Sequence, residues 1–152
     1  MIAIGCDHAG VELKATIKEY LASRGLDVKD FGTNDAASVD YPDYAEMVGG
    51  AVVRGEAERG ILICGTGVGI SISANKIEGV RAALAADTFT ARMSREHNDA
   101  NVLCLGARVV GAGLATDIVA SWLDAEFAGG RHQRRIDKIS ALDARRTAGA
   151  GR

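Results

Sequence analysis

The sequence predicts a three-layer α/β/α domain in which one parallel sheet is covered by helices on both faces. Apolar runs with strand character alternate with helical patterns along the 152 residues. Glycine occurs 19 times and proline once, which indicates many short strand–helix turns and not disorder. Regular alternation of this kind favours a Rossmann-like fold with a five-stranded parallel sheet.

Five strands are predicted from short apolar and β-rich runs. The clearest is Ile61–Leu62–Ile63, which is apolar at every position, as expected for a strand buried on both faces. We place the five strands at residues 1–6, 26–31, 59–64, 80–86 and 102–105.

Six helices are predicted between and after these strands. The first ends at Gly25, a typical C-cap, and the second begins beside Pro42, because proline suits the first turn of a helix. The last is highly charged but carries an apolar stripe of Ile136, Ile139 and Leu142. We place the six helices at residues 11–24, 41–54, 68–76, 88–96, 112–127 and 132–145.

Composition limits the classes of function. With 47% hydrophobic residues, 25% charged residues and a net charge of -2, the chain gives no reason to expect nucleic acid or a membrane as a partner. The three cysteines, Cys6, Cys64 and Cys104, are far apart and fit neither a zinc site nor a disulfide framework. We expect one cytoplasmic domain, residues 1–146, and a disordered tail, residues 147–152.

The third predicted strand ends in Cys64 and passes at once into Gly65-Thr66-Gly67-Val68-Gly69. Glycines let the backbone approach a ligand closely, and free N–H groups at a helix start favour negative charge. A thiolate and a developing oxyanion are both such charges, so Cys64 could act as a base or as a nucleophile. The alternative, a small buried thiol, is weaker here than at Cys6 and Cys104, which no glycine loop of this kind follows.

A dinucleotide-binding loop is another interpretation of the same glycines. Asp87 lies near the spacing of about twenty residues expected for an acid that binds ribose. Ile70, however, occupies the place of the third glycine, and the loop follows the third strand instead of the first.

Polar residues follow the first strand as well. Asp7 and His8 lie at its end, and they would face the same crevice as Cys64 if the first and third strands are neighbours. The alternative is that this pair only caps the next helix.

His97 and Asn98 lie between a helix and the start of the fifth strand. They are therefore expected at the edge of the sheet opposite Cys64. A strand of five residues spans about 16 Å, which is too far for His97 to reach the thiol of its own chain. If His97 is catalytic, it would serve a partner subunit. The alternative is a histidine that caps its helix.

Arg131 and Arg135 share one helix face, at positions i and i+4. Guanidinium groups bind phosphate in a bidentate manner, so this pair, with Arg108, forms a candidate phosphate clamp. A merely solvated helix face is the alternative.

Six segments together resemble type B ribose-5-phosphate isomerases, of the ribose/galactose isomerase family, over residues 1–146. They are Gly5-Cys6-Asp7-His8-Ala9-Gly10, Tyr41-Pro42-Asp43-Tyr44-Ala45, Cys64-Gly65-Thr66-Gly67-Val68-Gly69, Ser73-Ala74-Asn75-Lys76, His97-Asn98-Asp99-Ala100-Asn101 and Gly130-Arg131-His132.

The resemblance implies aldose–ketose isomerisation through an enediolate, without a metal or an organic cofactor. Cys64 would be the base at C2 of ribose 5-phosphate, Thr66 would help to move the proton between O1 and O2, and His97 would open the sugar ring. The backbone N–H groups of the loop Gly65, Gly67, Val68 and Gly69 would hold the oxyanion. The resemblance also implies substrate contacts, to hydroxyl groups from Asp7 and Asn98 and to phosphate from His8, Arg131 and Arg135, with Arg108 from the partner.

The resemblance leaves the substrate and the assembly open. Six-carbon sugar phosphates, allose 6-phosphate or galactose 6-phosphate, are the alternative within this chemistry, and a nucleotide-binding Rossmann-like module is the alternative outside it. Some relatives have serine in place of the cysteine and a glutamate a few residues later. Here residues 68–73 contain no carboxylate, so proton transfer falls to Cys64. A homodimer or tetramer with a shared active site is expected.

Overall fold

The computed structural model describes residues 1–149, except for the side chain of Thr147. The strands are β1 (Ile2–Cys6), β2 (Val28–Asp30), β3 (Arg59–Cys64), β4 (Ala82–Leu84) and β5 (Val102–Gly106). The helices are α1 (Val11–Ser23), α2 (Tyr41–Val53), α3 (Val68–Ala74), α4 (Thr88–Glu96), α5 (Ala112–Leu123) and α6 (Arg131–Gly149), and a 3-10 turn, His8–Gly10, precedes α1.

The five strands form one parallel sheet in the order β2-β1-β3-β5-β4. The pairing of Cys6 with Ile63 and of Cys64 with Gly106 brings the ends of β1, β3 and β5 to the same edge. The predicted fold class is therefore confirmed. Strands β1 and β3 are neighbours, so Asp7 and His8, which follow β1, lie at the same edge of the sheet as Cys64.

The alternating side chains of β3 divide the core into two layers. Ile61 and Ile63 pack with α1, α4 and α5, while Leu62 and Cys64 pack with α2 and α3. All four are buried. A strand covered on both faces needs this continuous apolar sequence, which is why it was the clearest strand signal.

Element ends differ from the prediction at the periphery. The edge strands β2 and β4 are three residues each, because each pairs with only one neighbour. Helix α5 stops at Leu123, whose carbonyl accepts a hydrogen bond from Arg59 Nη1 at 2.9 Å, so the predicted extension to residue 127 is wrong. Helix α6 continues to Gly149, so residues 147–149 of the predicted tail are helical, and residues 150–152 lie outside the described residues.

Candidate active site

Cys64 lies at the carboxyl end of β3, with its thiol against the glycine turn. The residue is 4% exposed, and its Sγ accepts a hydrogen bond from the Gly67 N–H at 3.1 Å. Gly67 has φ +78°, a left-handed conformation that glycine adopts without strain and that turns its N–H back toward the sulfur. The turn thus fixes the direction of the sulfur and supplies a donor for negative charge on it.

The glycines of this turn are required by close packing. A Cβ atom at Gly67 would clash with the Leu84 side chain and would lie 2.9 Å from the Leu105 carbonyl carbon. At Gly69 it would lie 2.5 Å from Cζ of Tyr41, whose ring therefore lies across the loop. The two glycines leave room for residues of two strands, β4 and β5, and for one aromatic ring.

Thr66 and Val68 form the exposed part of the same turn. Thr66 Oγ1 accepts a hydrogen bond from the Val68 N–H at 3.2 Å, which leaves the hydroxyl hydrogen of Thr66 able to donate to a ligand. A movable hydroxyl hydrogen beside Cys64 is suited to passing a proton between two neighbouring oxygens.

Arg108 belongs to the same edge of the sheet. Its N–H donates to the Gly65 carbonyl at 2.9 Å, and a Cβ atom at Gly65 would lie 3.2 Å from Arg108 Nη1. The family resemblance implied Arg108 from the partner subunit, whereas in this chain it lies beside its own Gly65. Because β5 adjoins β3, the turn after β5 brings this guanidinium to Gly65, next to Cys64 in the same chain.

Asp7 and His8 face this edge from the end of β1. Asp7 is buried, and its Oδ1 accepts a hydrogen bond from the Ala9 N–H at 2.9 Å. The capping role named as the alternative is thus present, and it uses one carboxylate oxygen. His8 Nδ1 accepts a hydrogen bond from the Val39 N–H at 3.2 Å, which places the ring hydrogen of the neutral imidazole on Nε2, the atom available to a ligand.

A buried lysine holds the loop that supplies this Val39 N–H. Lys14 Nζ donates to Asp30 Oδ1 at 2.7 Å, to the Thr33 carbonyl at 2.6 Å and to Asn34 Oδ1 at 2.8 Å. All three ammonium hydrogens are therefore used, as a buried lysine requires. Burial by itself would raise the pKa of Asp30, but hydrogen bonds from lysine side chains outweigh it and lower that pKa.

The other two cysteines differ from Cys64 in their surroundings. Burial raises the pKa of Cys6 to about 11, and burial, with a smaller contribution from nearby Cys64, raises the pKa of Cys104 further. Neither sulfur ionises near neutral pH. The hydrogen bond from the Gly67 N–H distinguishes Cys64 from these two cysteines.

His97 lies at the opposite, amino-terminal edge of the sheet. It caps α4 with an N–H donated to the Met93 carbonyl, and its imidazole stacks on that of His132, with ring centroids 4.2 Å apart and planes 12° apart. Partial burial, followed by repulsion from His97, Arg131 and Arg135, lowers the pKa of His132.

The other predicted groups of this second cluster are exposed. Arg131 and Arg135 begin α6, and the Ala128 N–H donates to the Glu96 carbonyl, which ties the approach to α6 to the end of α4. Asn98 lines a cavity of about 390 Å³ between α6 and the β4 side of the sheet. Cys64 is not among the residues that line this cavity.

Asp87 has a local structural role. Its Oδ1 accepts a hydrogen bond from the Thr90 N–H at 2.6 Å and its Oδ2 one from the Thr90 hydroxyl at 2.8 Å. Both oxygens cap α4, and these bonds lower the pKa of the carboxyl group. Asp87 is therefore the N-cap of α4.

The predicted site residues thus divide into two half-sites. The Cys64 half-site consists of the thiol, its glycine turn, Asp7, His8 and Arg108, and the His97 half-site consists of His97, Asn98, Arg131 and Arg135. The sequence interpretation missed Tyr41 and His132 as individual site residues. Both lie in segments that carried the family resemblance, and that was the available signal.

Two kinds of feature are absent from the residues that the structure describes. Within residues 1–149, no group of three or more histidine, cysteine or acidic side chains could hold a metal ion. No helix in that range is long and apolar enough to span a membrane.

Comparison with known proteins agrees with this fold. The model of the family described as Ribose/Galactose Isomerase matches residues 2–139. Ribose-5-phosphate isomerase B of Escherichia coli is 53% identical over 95% of this chain and 97% of its own, and D-erythrulose-4-phosphate isomerase of Pectobacterium atrosepticum is 47% identical over 91% of each. The structure of ribose-5-phosphate isomerase B from Clostridium thermocellum superposes with a TM-score of 0.94, at 57% identity over 95% of this chain and 97% of that one.

The protein is an isomerase. It has a Rossmann-like sheet with a thiol at the end of the central strand, and its relatives are sugar-phosphate isomerases. The chain belongs to the ribose/galactose isomerase family.

Proposed function

We propose that this chain interconverts D-ribose 5-phosphate and D-ribulose 5-phosphate through an enediolate. The observation that carries the proposal is the Cys64 sulfur, held by the Gly67 N–H at the mouth of a glycine turn. The name of the Escherichia coli relative supports the five-carbon substrate. The Pectobacterium relative, named for a four-carbon substrate, makes chain length a property to be measured.

Cys64 acts as the base in this proposal. Its thiolate takes the proton from C2 of the open-chain aldose, the C2–H bond breaks, and the electron pair forms the C1–C2 double bond while O1 becomes the anion. Thr66 passes the O2 proton to O1, and the Cys64 proton returns to C1 to give the ketose. Loop N–H groups, including that of Gly69, stabilise the oxyanion, a contribution typically worth about 3 kcal/mol per donor.

The remaining residues bind the two ends of the sugar. Asp7 accepts from a substrate hydroxyl with the carboxylate oxygen that does not cap the 3-10 turn. His8 donates from Nε2 to the phosphate, beside Arg108 of the same chain. Charge-assisted donors of this kind suit a dianionic phosphate.

We infer that the site is shared between two subunits of a homodimer. His97 donates a proton to the ring oxygen of ribose 5-phosphate as the C1–O4 bond breaks, and the proton of the O1 hydroxyl passes to water. Arg131 and Arg135 complete the phosphate clamp, and Asn98 binds a substrate hydroxyl. Within one chain these groups lie at the opposite edge of the sheet from Cys64. The exposed apolar side chains Ile139 and Leu142 on α6, 42% and 61% exposed, support burial of this helix against a second copy.

We also infer a cytoplasmic location. All three cysteines are free thiols, a state that suits a reducing compartment.

The proposed reaction is tested by a substrate panel assayed in D2O. Ribose 5-phosphate is compared with allose 6-phosphate, galactose 6-phosphate and erythrulose 4-phosphate at equal concentration. We expect the highest kcat/KM with ribose 5-phosphate and deuterium at C1 of the ribulose 5-phosphate formed. A preference for another sugar of more than about tenfold would contradict the substrate, and nucleotide binding without isomerisation would contradict the reaction.

A further inference from the structure

The turn that carries His97 and Asn98 is held by one carboxylate between two guanidinium groups. Asp99 Oδ1 lies 2.7 Å from Arg95 Nη1, and Asp99 Oδ2 lies 3.1 Å from Arg81 Nη2. Asp99 thereby joins the end of α4 to the segment that leads into β4. These ion pairs lie next to the two residues that the proposed function uses.

The same arginines also hold the backbone of this turn. Arg81 Nε donates to the carbonyl oxygens of Asn98 and Asp99, both at 3.1 Å, and Arg95 Nη1 donates to the Ala100 carbonyl at 2.8 Å. The carbonyls of three consecutive residues are therefore fixed by two side chains. The position of each arginine depends in turn on the carboxylate of Asp99, which separates their positive charges.

The conformation of Asp99 and the burial of Arg95 indicate that the arrangement is rigid. Asp99 has φ 45°, in the left-handed region that few non-glycine residues adopt, although Asp and Asn are tolerated there. Arg95 is 7% exposed, and its Cζ lies 5.9 Å from the ring centroid of buried Trp122. A guanidinium held in this way gives Asp99 a fixed partner, and such surroundings are what maintain an unusual backbone conformation.

We propose that Asp99 is the positioning residue of the His97 half-site, which sets the directions of the His97 ring and the Asn98 side chain toward a sugar phosphate bound at Cys64 of the partner subunit. The proposal rests on the proposed function. Without the carboxylate, Arg81 and Arg95 lose the ion pairs that they share through Asp99, and the turn loses its restraint. A displacement of about 1 Å at such a site can cost about 100-fold in rate.

The direction of the reaction separates positioning of His97 from a general structural role. Ribose 5-phosphate is cyclic and must be opened, whereas ribulose 5-phosphate cannot close a ring through C5, because its C5 oxygen carries the phosphate. The equilibrium constant ties the two kcat/KM values together, so the two kcat values are the informative measurements. We expect Asp99→Asn to lower kcat from ribose 5-phosphate by about 10- to 100-fold and kcat from ribulose 5-phosphate by less than about threefold.

Three further variants complete this experiment. Arg81→Met removes the second ion pair of Asp99 and should give the same difference between the two directions. It tests the positioning role if Asp99→Asn is unfolded at the assay temperature. Asp124→Asn breaks an exposed ion pair with Arg24, 2.6 Å long, and should leave both kcat values unchanged. His97→Asn removes the proposed acid itself, so it gives the upper limit for the difference between the losses of kcat in the two directions.

Equal losses in both directions for Asp99→Asn and Arg81→Met, or wild-type kinetics in both, would overturn the positioning role. Failure of the proposed function has a different signature. In that case His97→Asn itself would show no difference between the directions, whatever the Asp99 variant does.

Discussion

The two edges of the sheet hold their candidate groups by different means. At the Cys64 half-site the backbone positions the thiol, through the Gly67 N–H and through glycines that permit close packing. At the His97 half-site side chains do the positioning, through the stack on His132 and the ion pairs of Asp99. The Cys64 half-site should therefore be most sensitive to added atoms, and the His97 half-site to changes of charge.

The largest effect is expected at the sulfur itself. Cys64→Ala removes the proposed base, and a positioned base contributes about 10²–10⁴ in rate. We expect kcat/KM for ribose 5-phosphate to fall about 100- to 10,000-fold. The variant should still bind a competitive phosphate-bearing inhibitor, because His8 and Arg108 are untouched. Turnover close to wild type would contradict the assignment of Cys64.

A smaller loss is expected from one methyl group in the glycine turn. Gly67→Ala places a Cβ atom against Leu84 and Leu105 at a positive φ. We therefore expect the free energy of unfolding to decrease by about 1–3 kcal/mol and kcat to fall. Gly113→Ala is the matched control, since no atom other than those of its chain neighbours and nearby helix backbone lies within 4 Å of its Cβ position in α5. Urea denaturation should show Gly113→Ala as stable as wild type or up to about 1 kcal/mol more stable. Equal stability of the two variants would contradict a turn that depends on close packing.

The buried lysine tests whether the Cys64 half-site also depends on side chains. Lys14→Met frees the loop that carries the Val39 N–H, so His8 loses its orientation, and we expect KM for ribose 5-phosphate to rise about fivefold with little change in kcat. Lys18→Met, which removes the more exposed partner of Asp30, is the control and should leave KM unchanged. Identical KM values for the two variants would remove the link between the loop and the phosphate.

The smallest effect concerns the pH dependence of stability at the His97 half-site. Because the folded pKa of His132 lies below its ordinary value of 6.5, the unfolded chain binds more protons, and stability falls as the pH drops through and below that value. His132→Phe keeps a stacking ring without a titrating group, so its Tm should fall less than that of wild type between pH 8 and pH 5.5. A larger fall in the variant would contradict the direction given for this pKa.

The sequence predicted the fold well where one strand or helix carries the whole signal. The apolar run of β3 and the cap at Gly25 are of this kind, and both are present in the structure. The ends of the edge strands and of α5 depend on contacts with other segments, such as that of Arg59 with Leu123, which spacing along the chain does not contain.

The residue types of the candidate site could be predicted from the sequence, but the contacts between distant segments could not. Strand order placed His97 opposite Cys64 correctly, but the stack on His132 and the position of Tyr41 across Gly69 join residues far apart in sequence. The place of Arg108 beside Gly65 follows from the pairing of β3 with β5, which spacing along the chain does not contain. Residue types therefore indicated the chemistry, and only the sheet order grouped them into half-sites.

The central claim, that each active site combines two edges from two subunits, is tested most directly by mixing two inactive variants. Cys64→Ala and His97→Ala subunits are combined under conditions where exchange is verified by mass spectrometry. In a mixed dimer one of the two sites contains both wild-type residues, so random exchange should restore about one quarter of wild-type activity. Activity that stays at the level of the unmixed variants after complete exchange would contradict the shared site.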